Sequence, residues 1–172
     1  FARREVSTNP GRFMDMPNRN EVAEKHFEKL LTRSLIRMRD LLSEDGLLVT
    51  YYAHTSPEAW AVLLKAGWKG AGLRVTNALP VVTESKHRVI KREKIRLDSS
   101  IVVTWRKGVE GKVYSNDPEF KRELVRVARE RSKEMFSKSK KREIGFTGRD
   151  ILIGTMASVL SVVTKYEEVL DP

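Results

Sequence analysis

The stretch that decides the fold is Leu41-Leu42-Ser43-Glu44-Asp45-Gly46-Leu47-Leu48-Val49-Thr50-Tyr51-Tyr52-Ala53. Its first residues close an apolar period. Its middle is a turn. Its end is a short β-prone run that is apolar on both faces, which predicts a buried, parallel strand. Upstream, Val22, Phe27, Leu30, Leu31, Leu35, Met38, Leu41 and Leu42 recur at three- and four-residue steps. That spacing predicts an amphipathic helix of about six turns. Asn18 and Glu21 have the spacing of a capping box at its start. Asp45-Gly46 ends it, with Gly46 free to adopt the left-handed conformation.

Downstream, Ser56 and Pro57 open a second helix with Trp60, Ala61, Leu63 and Leu64 on its apolar side, broken at Gly67 and at Gly70-Ala71-Gly72. Leu73 to Thr83 reads as a strand bent at Pro80, and Ile101 to Trp105 as another. Asp117-Pro118-Glu119 opens a charged helix running to about Lys138. Thr147 and Asp150 cap a last helix with Ile151, Leu152, Met156, Val159, Leu160, Val163 and Tyr166 on its apolar face. The expected order is helix, strand, helix, strand, strand, helix, helix. Residues 1–107 form an α/β part with a right-handed crossover, in which 1–18 are an arm or loop, and residues 108–172 form an all-helical extension.

Composition narrows the function. With 172 residues, 40% hydrophobic and 33% charged, the chain has a core and a heavily charged surface, and it is no disordered tail. It has no cysteine, which excludes disulfides, thiolate metal sites and cysteine nucleophiles. The three histidines, His26, His54 and His87, are far apart, so no metal site is expected. No apolar run reaches the ~20 residues of a membrane span, and no signal peptide is visible, so the expected location is cytoplasmic. Phe1 in place of an initiator methionine points to a chain trimmed or excised from a longer one.

The net charge of +10 calls for an anionic partner, nucleic acid first. Two segments hold the excess. Residues 86–96 carry Lys86, Arg88, Lys91, Arg92, Lys94 and Arg96 against Glu93 alone. Residues 121–142 carry ten Lys/Arg against three Glu. The first reads as a phosphate-backbone clamp or as a solvated hairpin, and the second as a binding helix or as one laced by i,i+4 pairs. Aromatic residues are sparse in both, so base stacking gains little support. His54 follows the first strand, where open α/β sheets place a ligand crevice. The bland alternative is a histidine bonded to nearby backbone. No complete catalytic constellation is present.

Taken together, Leu41 to Val49, Tyr52-Ala53-His54, Glu58-Ala59-Trp60, Ala66-Gly67-Trp68, Arg74-Val75-Thr76, Leu79-Pro80-Val81-Val82-Thr83-Glu84 and Ser99 to Lys107 resemble the later half of a known family. It is the adenine-specific DNA methylases of archaea and some bacteria, class I S-adenosylmethionine-dependent enzymes, some with a zinc ribbon. Thr147 to Ala157 and Lys165 to Val169 are similar to that family's tail. The resemblance implies a partial class I (Rossmann-like) methyltransferase sheet with a C-terminal antiparallel hairpin. Leu47–Ala53 would be its fifth strand, Leu73–Thr83 and Ile101–Arg106 its last two, and a helical segment would follow. It implies methyl transfer to an exocyclic base amine, adenine N6 favoured, on DNA, with RNA the alternative. His54, Thr83 and Glu84 would line the cleft, and the 86–96 cations would hold the backbone.

The family's glycine-rich cofactor loop and its Pro-Pro-aromatic catalytic motif are not in the sequence. Catalytic residues are therefore expected upstream of Phe1. S-adenosylmethionine is expected to need the complete enzyme and not to bind this chain alone. The fifth strand would have an open edge, to be met by a homodimer partner, by the missing N-terminal portion or by residues 1–18. The reading from another class is a non-enzymatic nucleic-acid- or partner-binding protein with a degenerate methyltransferase half-fold.

Overall fold

In a computed structural model the described residues are 5–52, 57–82, 99–140 and 146–172. The period read along the first helix forms α1, Arg19–Leu41, which buries Ala23 and Leu35. Its ends differ from expectation. The Asn18 side chain makes no capping hydrogen bond, so no capping box forms there. The helix stops because Leu42 turns extended, and Gly46 is not left-handed; its amide donates to the Ser43 carbonyl at 3.0 Å in a turn. The helix is already ended four residues before Gly46, so no left-handed residue is required there. Ahead of α1, a short 3₁₀ turn, Pro10–Phe13, packs on the helix, with the Phe13 ring edge-on to His26.

The main sheet has β1 (Leu48–Tyr52), β2 (Leu73–Val82) and β3 (Ser99–Lys107) in the order β1–β3–β2. β3 is antiparallel to both neighbours, from Leu48↔Trp105 to Tyr52↔Ile101 on one side and from Leu73↔Lys107 to Val82↔Ser99 on the other. The expected antiparallel hairpin of β2 and β3 is therefore present. β1 and β2 run the same way, with α2 (Pro57–Leu64) in the crossover between them.

β1 is not the parallel, doubly buried strand its composition predicts. It pairs with an antiparallel strand and alternates, with Tyr51 71% exposed. Leu48 and Tyr52 face the core while Val49 and Tyr51 face solvent. Its second edge has no strand partner among the described residues. The irregularity in β2 lies at Thr76, where the register slips by one between Val75 and Asn77, and Pro80 stays in register opposite Ile101. β2 is an edge strand, which tolerates a residue without an N–H. The bulge leaves the buried Val75 amide free to donate to Thr164 Oγ1 at 2.8 Å.

The core joins Leu35 of α1, Leu63 of α2, Leu73, Val75 and Ala78 of β2, and Val103 and Trp105 of β3. Trp105 is wholly buried and donates from Nε1 to Thr50 Oγ1 at 2.9 Å. Gly67 does not break the second helix; the chain continues as a π-turn, Lys65–Gly70. A Cβ on Gly67 would stand 2.8 Å from the Trp105 ring, so glycine here permits a close approach. The left-handed glycines are Gly72 and Gly108, at the entry to β2 and the exit from β3.

Residues 108–172 are not all helical. β4 (Glu110–Tyr114) and β5 (Tyr166–Leu170) pair in parallel on either side of α3 (Pro118–Lys140) and α4 (Gly148–Val163). Trp68 Nε1 and Lys69 Nζ of the π-turn each donate at 2.7 Å to the β5 carbonyls of Tyr166 and Glu167. The Thr147–Asp150 capping box is present, with the Asp150 carboxylate accepting from Thr147 N at 2.9 Å. The phase of α4 differs from expectation. Ile153, Gly154, Ala157, Ser158 and Val162 are buried, while Leu152 is 60% exposed and Met156 is exposed too. Small residues let α4 approach β2, and close approach outweighs the larger apolar side chains in choosing the face. Ile153 and Ala157 join the same core as Trp105, so this half packs on the sheet. The fold is mixed α/β. Among the described residues no helix is long and apolar enough to cross a membrane.

Candidate nucleic-acid interface

The longest basic element is α3. Asp117 caps it, its Oδ1 accepting from Glu119 N at 2.9 Å and Phe120 N at 2.8 Å, with Pro118 at the first helical position. Phe120 and Met135 are buried and fix which side faces out. At ~100° per residue, Arg122, Arg129, Lys133 and Lys140 fall within a strip about 40° wide and about 27 Å long. Glu123, Glu130 and Glu134 lie roughly 100° away around the same helix.

That separation sorts the cations into two sets. Arg126 bridges Glu123 at 2.6 Å and Glu130 at 2.7 Å, Arg131 meets Glu134 at 2.8 Å, and Lys138 meets Glu134 at 2.8 Å. All three acids within 121–140 are thus engaged. Among the described residues Lys121, Arg122, Arg129, Lys133 and Lys140 are in no ion pair, and Arg122 spends its Nε on the Pro118 carbonyl. The reading of this segment as a helix laced by ion pairs holds on one side of α3. Phe136, 62% exposed, and Val125 stand among the free cations.

The pairs set the electrostatics. The hydrogen bond from Arg126 holds the Glu123 carboxyl below the usual range. Lys138, through its hydrogen bond, does the same for Glu134, with Arg131 adding to it. Glu123 and Glu130 together make Arg126 a still weaker acid than an ordinary guanidinium. Arg131 is a structural pin. It donates from Nε to Ser158 Oγ at 2.9 Å and from Nη2 to Asn77 Oδ1 at 3.0 Å, tying α3 to α4 and β2 beside a cavity of about 190 Å³. A wider groove of about 680 Å³ runs between β4, the start of α3 and β5. Phe120 and Tyr166 meet edge to face in its lining, with Arg122 and Lys165 also along it.

The residues singled out from sequence as cleft-lining, His54, Thr83 and Glu84, lie outside the described residues. So do the clamp residues Lys86, Arg88, Lys91, Arg92, Lys94 and Arg96, and the helix-capping Ser56. The last described residues before the cleft positions, Tyr52 and Val82, stand at one end of the sheet, opposite the start of β3. Among the described residues no group of three His, Asp or Glu could hold a metal ion. Sequence reasoning missed the division of α3 into paired and unpaired cations, the pin at Arg131 and the exposure of Phe136. A helical wheel of 118–140 carries the first of these; the others depend on contacts distant in sequence.

No family model, curated protein or solved structure matches this chain.

Proposed function

We propose that this chain holds the phosphate backbone of nucleic acid, duplex DNA first and RNA second, along the outer face of α3. The observation that carries this reading is the row of cations from Lys121 to Lys140 that have no ion pair among the described residues, with Glu123, Glu130 and Glu134 drawn aside into ion pairs. Cations already paired within the protein release few counterions on binding, whereas unpaired ones release about one for each phosphate met.

In the finer form of the proposal the chain is the rear part of an S-adenosylmethionine-dependent DNA methyltransferase that modifies an exocyclic base amine, adenine N6 favoured. Support comes from β3 reversed between the parallel β1 and β2, with α2 in the crossover. That is where the resemblance puts a fifth strand and a closing hairpin. The uncharged outer edge of β1 would carry the remainder of the sheet, supplied by a companion polypeptide or a second copy. The companion would bring the glycine-rich loop and the Pro-Pro-aromatic motif. The target base would leave the stack to reach the cleft. The second reading is a non-enzymatic binder with the same half-fold, which the α3 cations serve equally.

Two titrations of the purified chain test the proposal. Fluorescence anisotropy with a labelled DNA duplex is expected to show binding that weakens steeply with salt, and a flat salt response sinks the α3 interface. Calorimetry with S-adenosylmethionine is expected to show no heat of binding. Tight binding to this chain alone overturns the rear-part reading and leaves the interface standing.

A further inference from the structure

Phe136 stands on the solvent side of α3, although its neighbour Met135 is buried. Helix geometry sets what surrounds it. Lys133 and Lys140, three residues before and four after, have Cβ atoms about 5–6 Å from its own. Arg129 lies two turns back, within about 20° around the helix. None of these three cations is in an ion pair among the described residues. The other three- and four-residue steps reach Ser139 and Ser132, whose side chains are too short to cover a ring. Among the described residues no aromatic ring or cation stacks on Phe136. Val125, also exposed, lies within about 20° of Phe136 and about 16 Å nearer the start of the helix. The outer face therefore carries two lanes. Arg122, Arg129, Lys133 and Lys140 form a cationic one, and Val125, Ser132, Phe136 and Ser139 form an uncharged one beside it. A paired duplex keeps its bases stacked inside and leaves an aromatic ring nothing to stack on. An unpaired strand carries phosphates along one side and bases along the other, and those bases stack on aromatic side chains.

We propose that α3 takes an unpaired stretch of nucleic acid, with phosphates on the cationic lane and a base stacked on Phe136. The inference rests on the α3 interface and names the form of nucleic acid that it prefers. The cations attract any phosphate backbone, duplex included, whereas the ring adds affinity only where a base is free. Phe136 is thus the residue that sets specificity for unpaired over paired strands.

The test is anisotropy at low salt with three labelled probes: oligothymidine, oligouridine and a short DNA duplex. Phe136→Ala should weaken binding of the single strands about 5- to 100-fold, the range of one lost base–aromatic stack. Duplex binding should stay within about twofold, since the cations that hold it are untouched. Phe136→Trp should retain single-strand binding, and Phe136→Leu, apolar but without a π-face, should not. Weakening with oligothymidine alone identifies DNA as the strand, with oligouridine alone RNA, and with both a site open to either. The unaltered protein supplies a second readout by NMR. Ring-proton signals of Phe136, assigned by their loss in Phe136→Leu, should move upfield as oligothymidine saturates the chain. If those signals stay put, or if Phe136→Ala changes single-strand and duplex affinity alike, the stacking proposal is wrong and the α3 interface stands. If no probe binds in a salt-dependent way, the interface itself is wrong and the proposal falls with it. Binding to phosphatidylserine vesicles that Phe136→Ala abolishes, with single-strand binding unchanged, would assign the ring to a lipid surface and overturn the proposal.

Discussion

Replacing Arg129 and Lys133 with glutamine should flatten the salt dependence of duplex binding by a calculable amount. Each phosphate neutralised contributes about −0.9 to the slope of log affinity against log salt. Five α3 cations have no ion pair among the described residues, namely Lys121, Arg122, Arg129, Lys133 and Lys140. If each meets one phosphate, α3 contributes a slope of about −4.5, or roughly 500-fold in affinity between 50 and 200 mM salt. Counting every Lys and Arg of 121–142 instead gives about −9, so the pairing pattern halves the expectation. The double replacement should reduce the α3 share to about −2.7, roughly 40-fold over the same range. The matched control is Arg126→Gln with Glu130→Gln, which removes a cation together with a carboxylate it already pairs. That control should leave the slope unchanged. Anisotropy of a labelled duplex over a sodium chloride series reads all three proteins, and circular dichroism verifies that α3 persists. A loss of about 0.9 in the control, half that of the double replacement, would mean that the gross number of cations matters and pairing does not. No loss in either would place the interface elsewhere.

Two further outcomes test the fold and its electrostatics. Gly67→Ala should lower stability by about 1–3 kcal/mol through overpacking, because the new Cβ would stand 2.8 Å from the Trp105 ring. Alanine's better helix propensity offsets this by no more than about 1 kcal/mol, and an unchanged urea midpoint would disprove the packing. Acid should loosen α3. Glu123 and Glu134 have lowered folded pKa values, so the stability they add is full above the ordinary glutamate value of about 4.3. It is lost as pH falls through the lowered folded values. Helical ellipticity and melting temperature should decline together below about pH 4, and a melting temperature constant down to pH 2.5 would refute the ion-pair account.

What the sequence revealed, it revealed locally. The α1 period, Asp117 as a cap, the Thr147–Asp150 box and the β2–β3 hairpin all rest on residues whose signals are near one another or strongly periodic. β4 and β5 were not legible. Each is five residues long and partly charged, and neither becomes a strand without a partner more than fifty positions distant. The phase of α4 was misread because hydropathy favours Leu152 and Met156, whereas contact with β2 favours the smaller Gly154, Ala157 and Ser158. β1 is apolar on both faces, so composition could not show that one face meets solvent. The proposed interface was half legible. Basic excess in 121–142 is plain in the text, but which cations stay free depends on where Glu123, Glu130 and Glu134 sit around the helix.

The place of β1 in the sheet also matters while the chain is being made. Its only strand partner among the described residues begins at Ser99, and Leu48 finds its opposite number at Trp105. At ~5–20 residues per second, a ribosome needs on the order of 3–10 s to add the ~50 residues between them. Hairpins close in microseconds, so β1 waits far longer than its pairing takes. Throughout that interval a five-residue run with no charge and no proline has both edges open. Neighbouring nascent chains on the same message would offer identical runs at close range, and well-spaced translation or a chaperone shielding Leu48–Tyr52 would favour the intended pairing over pairing between chains.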